Sequence, residues 1–386
     1  MKKVLLRGPI LSKSGYGEHC RQVFTYLMSR NDIDLKVQLL PWGITPWYLK
    51  KSDLNGLVGK VIEKSNLTEN EKFDVSIQVQ LPNEWDTSLA KKNVGITAAV
   101  ETDRANPMWT LTHVNKMDAV IVPSKHAKNS LTSAAIPSTD IHVVPEAYFE
   151  ELLDPGNIEL DFETKFNFLT VGVLTGFKAN TDRKNLLYLL KWFVETFKDN
   201  KEVGLVVKTN RGRETTIDRK GTEILLSQVL KEVGHKEFPK IYLLHGSMSR
   251  KEMSSLYHHD DIKGFISLTR GEGFGLPHLE ASVAKLPVIA TNWSAHKEFL
   301  DLGKWIKLDY DLLEIDQEKI DNNIFMQGSK WAFVKEQDFK KKIQNFYKKP
   351  EKPKEWACQL SDKLTKEYSQ KSINEKYEEV LGDFLS

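Results

Sequence analysis

Cysteine is almost missing from this chain. Its 386 residues hold two, Cys20 and Cys358, far apart and in no Cys-x-x-Cys pair. That leaves no disulfide framework and no zinc knuckle, and it fits a reducing compartment. Long apolar runs are missing too, since no stretch approaches the ~20 residues of a membrane span. In the opening "MKKVLLRGPI", Arg7 interrupts the apolar run after three residues, too few for a signal peptide. A cytoplasmic protein is therefore expected. An excess of one charge is also missing: 55 Lys and Arg stand against 53 Asp and Glu, a formal +2. Such balance demands neither nucleic acid nor an acidic surface as partner. The chain does have the 40% hydrophobic and 28% charged composition of a globular protein. Its length suggests about two domains of ~150–200 residues each.

Short apolar runs alternate with amphipathic stretches. Strands are expected at 3–8, 35–40, 74–80, 93–100, 118–124 and 141–145, with a helix at 18–30. The series then restarts with strands at 167–174, 203–210, 240–246, 264–269 and 287–291, and a strong helix at 185–198. Apolar strands separated by helices indicate buried parallel sheets. Two α/β units follow, joined near residues 151–165, where Pro155, Gly156 and several acids suggest a hinge. Residues 338–356, "DFKKKIQNFYKKPEKPKEW", are lysine-rich with two prolines. They read as a solvated helix face and linker, or else as a patch for anionic lipid head groups.

Ligands of parallel α/β sheets bind where strands end and helices begin. Three such places carry chemistry. In "RGPILSKSGYGEH", Gly15 and Gly17 precede a helix, where free N–H groups favour phosphate. The loop is not GxGxxG, and GxxxxGK[ST] is absent from the chain. In "GFKANTDRKNLL", Arg183 and Lys184 precede a helix and are suited to a diphosphate, with Lys208 in "VVKTN" as a third cation. In "GEGFGLPHLE", Glu272 and Glu280 flank a glycine loop, with Pro277 expected at the first helical position and Glu280 in the first turn. A glycosidase acid–base pair would approach its sugar from opposite sides, which one loop does not provide. Two acceptor carboxylates fit vicinal hydroxyls better, one on a ribose and one on a sugar.

These residues resemble the Glu-x7-Glu motif of family-four glycosyltransferases, which are retaining, nucleotide-sugar-dependent enzymes. "DRKN", "LVVKTN", "IYLLHGSMSRKEMSSLYHHDDI" and "EASVAKLPVIATNWSAHKEFL" stand in the family's order. "ETDRANPMW" and "DAVIVPSKHAKNSL" look like the matching N-terminal segment of a bacterial subgroup. The resemblance implies the GT-B fold, two Rossmann-like α/β domains facing each other across a cleft. It implies an acceptor domain at 1–160, joined by a terminal helix at 366–386, and a donor domain at 161–365. It further implies Glu280 on the ribose, Glu272 at the donor sugar, and the backbone of Gly273, Phe274, Gly275 and Leu276 on sugar and diphosphate. Lys184, helped by Arg183, would stabilise the leaving diphosphate. His245, Gly246 and Ser247 would lie by the nucleobase, and Gly15 and Gly17 by the diphosphate or acceptor.

Two departures stand out. Val173 occupies a place where many members carry arginine, and Glu101 stands where many carry a histidine, with His113 twelve residues on. Glu101 is thus the candidate for that role. No Asp-x-Asp at a strand end demands a metal, so metal-independent transfer without a cofactor is expected. The expected partners are a nucleoside-diphosphate sugar and a glycan or lipid-linked acceptor; peripheral membrane contact through the basic C-terminal region and a nucleic-acid acceptor stay open. The alternatives are an epimerase or phosphorylase of the same architecture, or a silent sugar-nucleotide-binding protein.

Overall fold

The computed structural model describes residues 1–69, 71–234 and 237–386. The chain divides into two compact units. The first comprises Met1–Ala147, Asp321–Met326 and Tyr368–Ser386; the second comprises Tyr148–Ile320 and Gln327–Glu367.

In the first unit, β1 (Lys2–Gly8), β2 (Ile33–Leu39), β3 (Phe73–Val79), β4 (Ala90–Ile96), β5 (Ala119–Val122) and β6 (Ile141–Val143) form one parallel sheet. Their order is β2-β1-β3-β4-β5-β6. Helices α1 (Gly15–Met28), α2 (Leu57–Lys64) and α3 (Lys125–Ala134) connect strands. The central strands are Val- and Ile-rich because both faces of a parallel sheet are covered. The last helix of the chain also belongs here. It sets Ile373, Tyr377, Leu381 and Leu385, four residues apart along one stripe, into the same core. Tyr377 Oη lies 2.9 Å from the buried His19 Nε2.

In the second unit, β7 (Phe166–Val173), β8 (Val203–Asn210), β9 (Lys240–His245), β10 (Ile262–Ser267), β11 (Val288–Thr291) and β12 (Ile306–Leu308) form a second parallel sheet. The order β12-β11-β10-β7-β8-β9 is the doubly wound arrangement, with β7 and β10 adjacent at the point where the winding reverses. An antiparallel hairpin, β13 (Tyr310–Glu314) and β14 (Lys330–Val334), completes the strands. The helices are α4 (Leu186–Phe197), α5 (Thr216–Val233), α6 (Arg250–Tyr257), α7 (Leu276–Val283), α8 (His296–Leu300), α9 (Glu336–Lys348) and α10 (Glu351–Glu367). The final helix of the first unit is α11 (Gln370–Leu385). Phe168, Phe193, Phe197 and Phe346 dominate the core of the second unit.

Two expectations are corrected. The strand expected at 93–100 ends at Ile96, because the Tyr16 hydroxyl takes over the next backbone group, accepting from Ala98 N at 3.0 Å. Ala99 then turns into the left-handed region at φ 53°. The lysine-rich stretch is a helix face as expected but holds no extended linker: it forms α9 and the start of α10. Pro350 precedes α10 and Pro353 lies in its first turn, where no intrahelical N–H bond is lost. Among the described residues no helix is long and apolar enough to cross a membrane.

Candidate active site

The loops leaving β7 and β10 meet at the reversal point of the second sheet. The first, residues 174–185, is folded by Asp182. One of its carboxylate oxygens accepts from Thr175 N (3.2 Å) and Thr175 Oγ1 (2.8 Å), the other from Leu186 N (2.7 Å) at the start of α4. Asp182 therefore does the capping that Asn185, in the left-handed region at φ 56°, does not. Gly176 is required by this tight loop, since a Cβ there would come within 2.7 Å of the Thr181 carbonyl carbon.

A second clamp is Arg270, fully buried beside the loop. Its Nε donates to Asp182 O (3.2 Å), and Nη2 donates to Ala179 O (3.0 Å) and Asn185 Oδ1 (3.2 Å). The guanidinium stands 4.0 Å from the Phe333 ring centroid and 5.5 Å from that of Trp331, both on β14. Burial pulls its pKa down to about 10, so it stays charged at neutral pH. Sequence reasoning missed Asp182 and Arg270, the two residues that shape this loop.

The loop presents its two cations to Glu272, which is 5% exposed. Lys184 Nζ donates to both carboxylate oxygens, at 2.7 and 2.8 Å. Arg183 Nη1 donates to Gly271 O (2.7 Å) and reaches Glu272 Oε2 at 3.5 Å. Thr269 Oγ1 adds a bond of 2.7 Å, and Glu272 N donates to Ser294 Oγ at 3.0 Å. Burial alone would raise this carboxyl, but Lys184 and Arg183 overcome it and hold the group well below the usual carboxylate range. Arg183, Lys184 and Glu272 thus form one charge cluster.

Behind Glu272 the backbone turns into α7. Gly273 and Phe274 are buried, with the Phe274 ring packed against Phe299. Gly275 adopts φ 105°, and a Cβ there would meet His296 Cβ at 2.9 Å, so only glycine fits. Leu276 opens the helix, which places Pro277 second and Glu280 past the first turn rather than within it. Glu280 Oε2 accepts from Tyr257 Oη at 2.9 Å. Burial, then the nearby Glu280, pushes the Tyr257 phenol well up. Beneath the loop, the His278 and His296 rings stack with centroids 4.4 Å apart. Both are buried and neutral, His296 being lowered to about 4 chiefly by burial.

Lys208, His245, Gly246 and Ser247 form a separate group at the ends of β8 and β9. Lys208 Nζ donates to Gly246 O, and Ser247 Oγ to Glu214 Oε1, which also accepts from Asn210 Nδ2 at 2.8 Å. His245 Nε2 and Thr209 Oγ1 are buried there without hydrogen-bond partners.

In the first unit, Gly15 and Gly17 lie in the first turn of α1, whose N-cap Ser14 accepts from Gly17 N at 3.1 Å. Their reasons differ. A Cβ on Gly17 would lie 2.0 Å from Ser12 O, whereas one on Gly15 would meet nothing within 4 Å. Glu101 follows β4 and is close enough to Tyr16 to help raise its phenol pKa, after burial. Among the described residues no group of three or more His, Cys, Asp or Glu is gathered to hold a metal ion.

Residues 181–310 match the family described as glycosyl transferases group 1. No curated protein matches the chain. Among solved structures, Anabaena Alr3699/HepE in complex with UDP and glucose superposes with a TM-score of 0.65 at 13% identity, over 99% of this chain and 100% of that one. Sucrose-phosphate synthase from Thermosynechococcus elongatus gives 0.65 at 11% identity, over 99% of both chains. A glycosyltransferase from Rickettsia africae gives 0.63 at 14%, over 100% and 99%. The fold is that of the GT-B glycosyltransferases, with two Rossmann-like domains.

Proposed function

We propose that this chain, a glycosyltransferase by its group 1 segment and GT-B fold, moves a hexose-type sugar from a nucleoside diphosphate sugar to an acceptor, retaining the anomeric configuration and using no metal. The observation that carries the reading is the Arg183–Lys184–Glu272 cluster at the reversal point of the second sheet, inside the matched segment. When the anomeric C–O bond breaks, its electron pair leaves on the diphosphate. Two cations at the mouth of this loop would take up that charge, a task a divalent metal would otherwise perform. Glu272, kept ionised, accepts hydrogen bonds from donor-sugar hydroxyls. Glu280 takes the ribose hydroxyls, steadied by Tyr257. The backbone of residues 273–276 follows sugar and diphosphate, and Lys208 with residues 245–247 flanks the base. The first unit is proposed to contribute Gly15, Gly17 and Glu101. The acceptor is a glycan or a lipid-linked glycan.

The test is thermal stabilisation by UDP-, GDP-, ADP- and dTDP-sugars, UDP-sugars first because the Anabaena protein holds UDP. Stabilisation by none at millimolar concentration overturns the reading. With a stabilising donor in hand, the anomeric configuration of the product and turnover in EDTA decide retention and metal independence.

A further inference from the structure

The exposed large apolar side chains of the first unit include a pair that its core does not explain. Ile44 is 69% and Leu49 75% exposed, and both belong to the segment between β2 and α2. That segment is not a loose tether. Ser12 and Trp47 form an antiparallel bridge, Lys13 N donates to Pro46 O (2.9 Å) and Tyr48 N to Leu11 O (2.9 Å). Thr45 Oγ1 lies 2.6 Å from Ser12 Oγ and donates to Trp42 O at 2.7 Å. The Trp42 ring stacks on Tyr16 at 4.0 Å, and the Tyr16 hydroxyl is itself fixed by Thr97 and Ala98. Further on, Gly59 N donates to Lys51 O at 3.0 Å. Ile44 and Leu49 therefore flank a stretch whose backbone is tied down while their side chains face water. Two aliphatic tips held outward on a fixed backbone offer apolar surface to a partner.

The charges nearby select the partner. Lys13 stands over the Tyr48 ring (5.2 Å), exposed Lys50 and Lys51 follow Leu49, and exposed Lys60 lies on α2. Asp53 and Glu63 are the acids of residues 40–64. Lysine is depleted in the cores of protein interfaces. A layer of anionic head groups over hydrocarbon accepts lysine, tryptophan and aliphatic tips together. The lysine-rich α9–α10 region lacks this combination. Lys340 is paired with Glu195 and Glu336, Lys342 with Asp309 and Asp338, and no large apolar side chain among described residues 336–386 is exposed.

We propose that the segment from Trp42 to Lys51 docks the protein on an anionic lipid bilayer, with Ile44 and Leu49 entering the interface and Lys50 and Lys51 meeting the head groups. The test is co-sedimentation with vesicles of phosphatidylglycerol and phosphatidylcholine, against vesicles of phosphatidylcholine alone. The wild type should bind the first and not the second. Ile44→Asp/Leu49→Asp should lower the vesicle affinity at least ~10-fold per side chain, given the apolar area withdrawn from water. Lys50→Glu/Lys51→Glu should lower it too, and 0.5 M salt should weaken the wild type. All variants should keep the wild-type melting temperature and its shift with nucleotide sugar, so failure here leaves the donor-site reading intact. Equal binding to both vesicles, absence of binding, or binding untouched by the variants overturns the proposal. So does self-association in sedimentation velocity that Ile44→Asp/Leu49→Asp abolishes, because the surface would then belong to a second copy.

Discussion

Glu272→Gln removes the negative member of a buried cluster while leaving shape and hydrogen-bonding capacity nearly unchanged. Breaking a buried ion pair by removing one partner costs about 3–5 kcal/mol. The Arg183 and Lys184 side chains retain 15% and 17% exposure and can draw some water, which favours the lower end. About 3 kcal/mol on a domain of roughly 200 residues, at ~2–4 °C per kcal/mol, lowers the melting temperature by about 6–12 °C. The sign with pH follows from the depressed carboxyl. Its stabilisation is complete above the unfolded value of ~4.3 and is lost as pH falls toward the folded one, so the gap between wild type and variant narrows below about pH 5. Calorimetry at pH 7 and at lower pH measures both. Binding provides the second arm. With Glu272 neutral, neither cation is neutralised by that carboxylate, so the variant should bind UDP, or whichever nucleoside diphosphate stabilises the wild type, at least as tightly. Transfer should slow on the order of 100-fold, as when one contact to the transition state is lost. A variant that melts within about 1 °C of wild type at pH 7 would refute the energetic argument. One that loses nucleotide affinity would refute the division of roles.

Other outcomes follow from single contacts. Gly17→Ala should destabilise the first unit by more than about 2 kcal/mol, since its Cβ would collide with Ser12 O; urea unfolding measures it. Gly15→Ala has open space around it, so the fold should hold and any loss should appear only in donor or acceptor KM; unchanged KM values would remove Gly15 from the site. Asp182→Ala should cost about 1–2 kcal/mol through the lost cap of α4 and raise the donor KM more than it lowers kcat, by loosening Arg183 and Lys184. His296, lowered to about 4, is neutral in the folded state. It contributes fully above about pH 6.5, and stability should fall by about 1.4 kcal/mol per pH unit between 6.5 and 4 for each such histidine. His278 beside it adds to the slope, and urea titrations between pH 6.5 and 5 isolate these groups from the carboxylates. A flat profile there would contradict the buried, neutral assignment.

Much of the fold was legible because parallel strands announce themselves as short apolar runs: β8 reads off "VGLVVKTN" without error, and α4 off its apolar stripe. α5 was not legible. It buries little more than Thr222, Leu226 and Val229 and so carries no strong periodicity. The hairpin β13–β14 was hidden too, because most of β13 faces solvent. At the site, residues read as acting on ligand, Arg183, Lys184 and Glu272, lie together in space. Those that hold them were invisible. No local pattern marks Asp182 as the cap of α4, and none marks Arg270 as buried. Its burial depends on Phe333, 63 residues further along, and nothing local records such a partner. Glu280 was placed one residue too early because Gly275, not Leu276, caps α7.

The buried guanidinium of Arg270 has a genetic consequence. It ties β14 to the carbonyls of residues 179–182, so the posture of Lys184 depends on an aromatic ring nearly 150 positions away in the chain. In a saturation-mutagenesis screen for turnover, Phe333 and Trp331 should therefore score with the charged cluster and not with the rest of their strand. A map drawn from such data would extend the neighbourhood of the charged cluster into the β13–β14 hairpin.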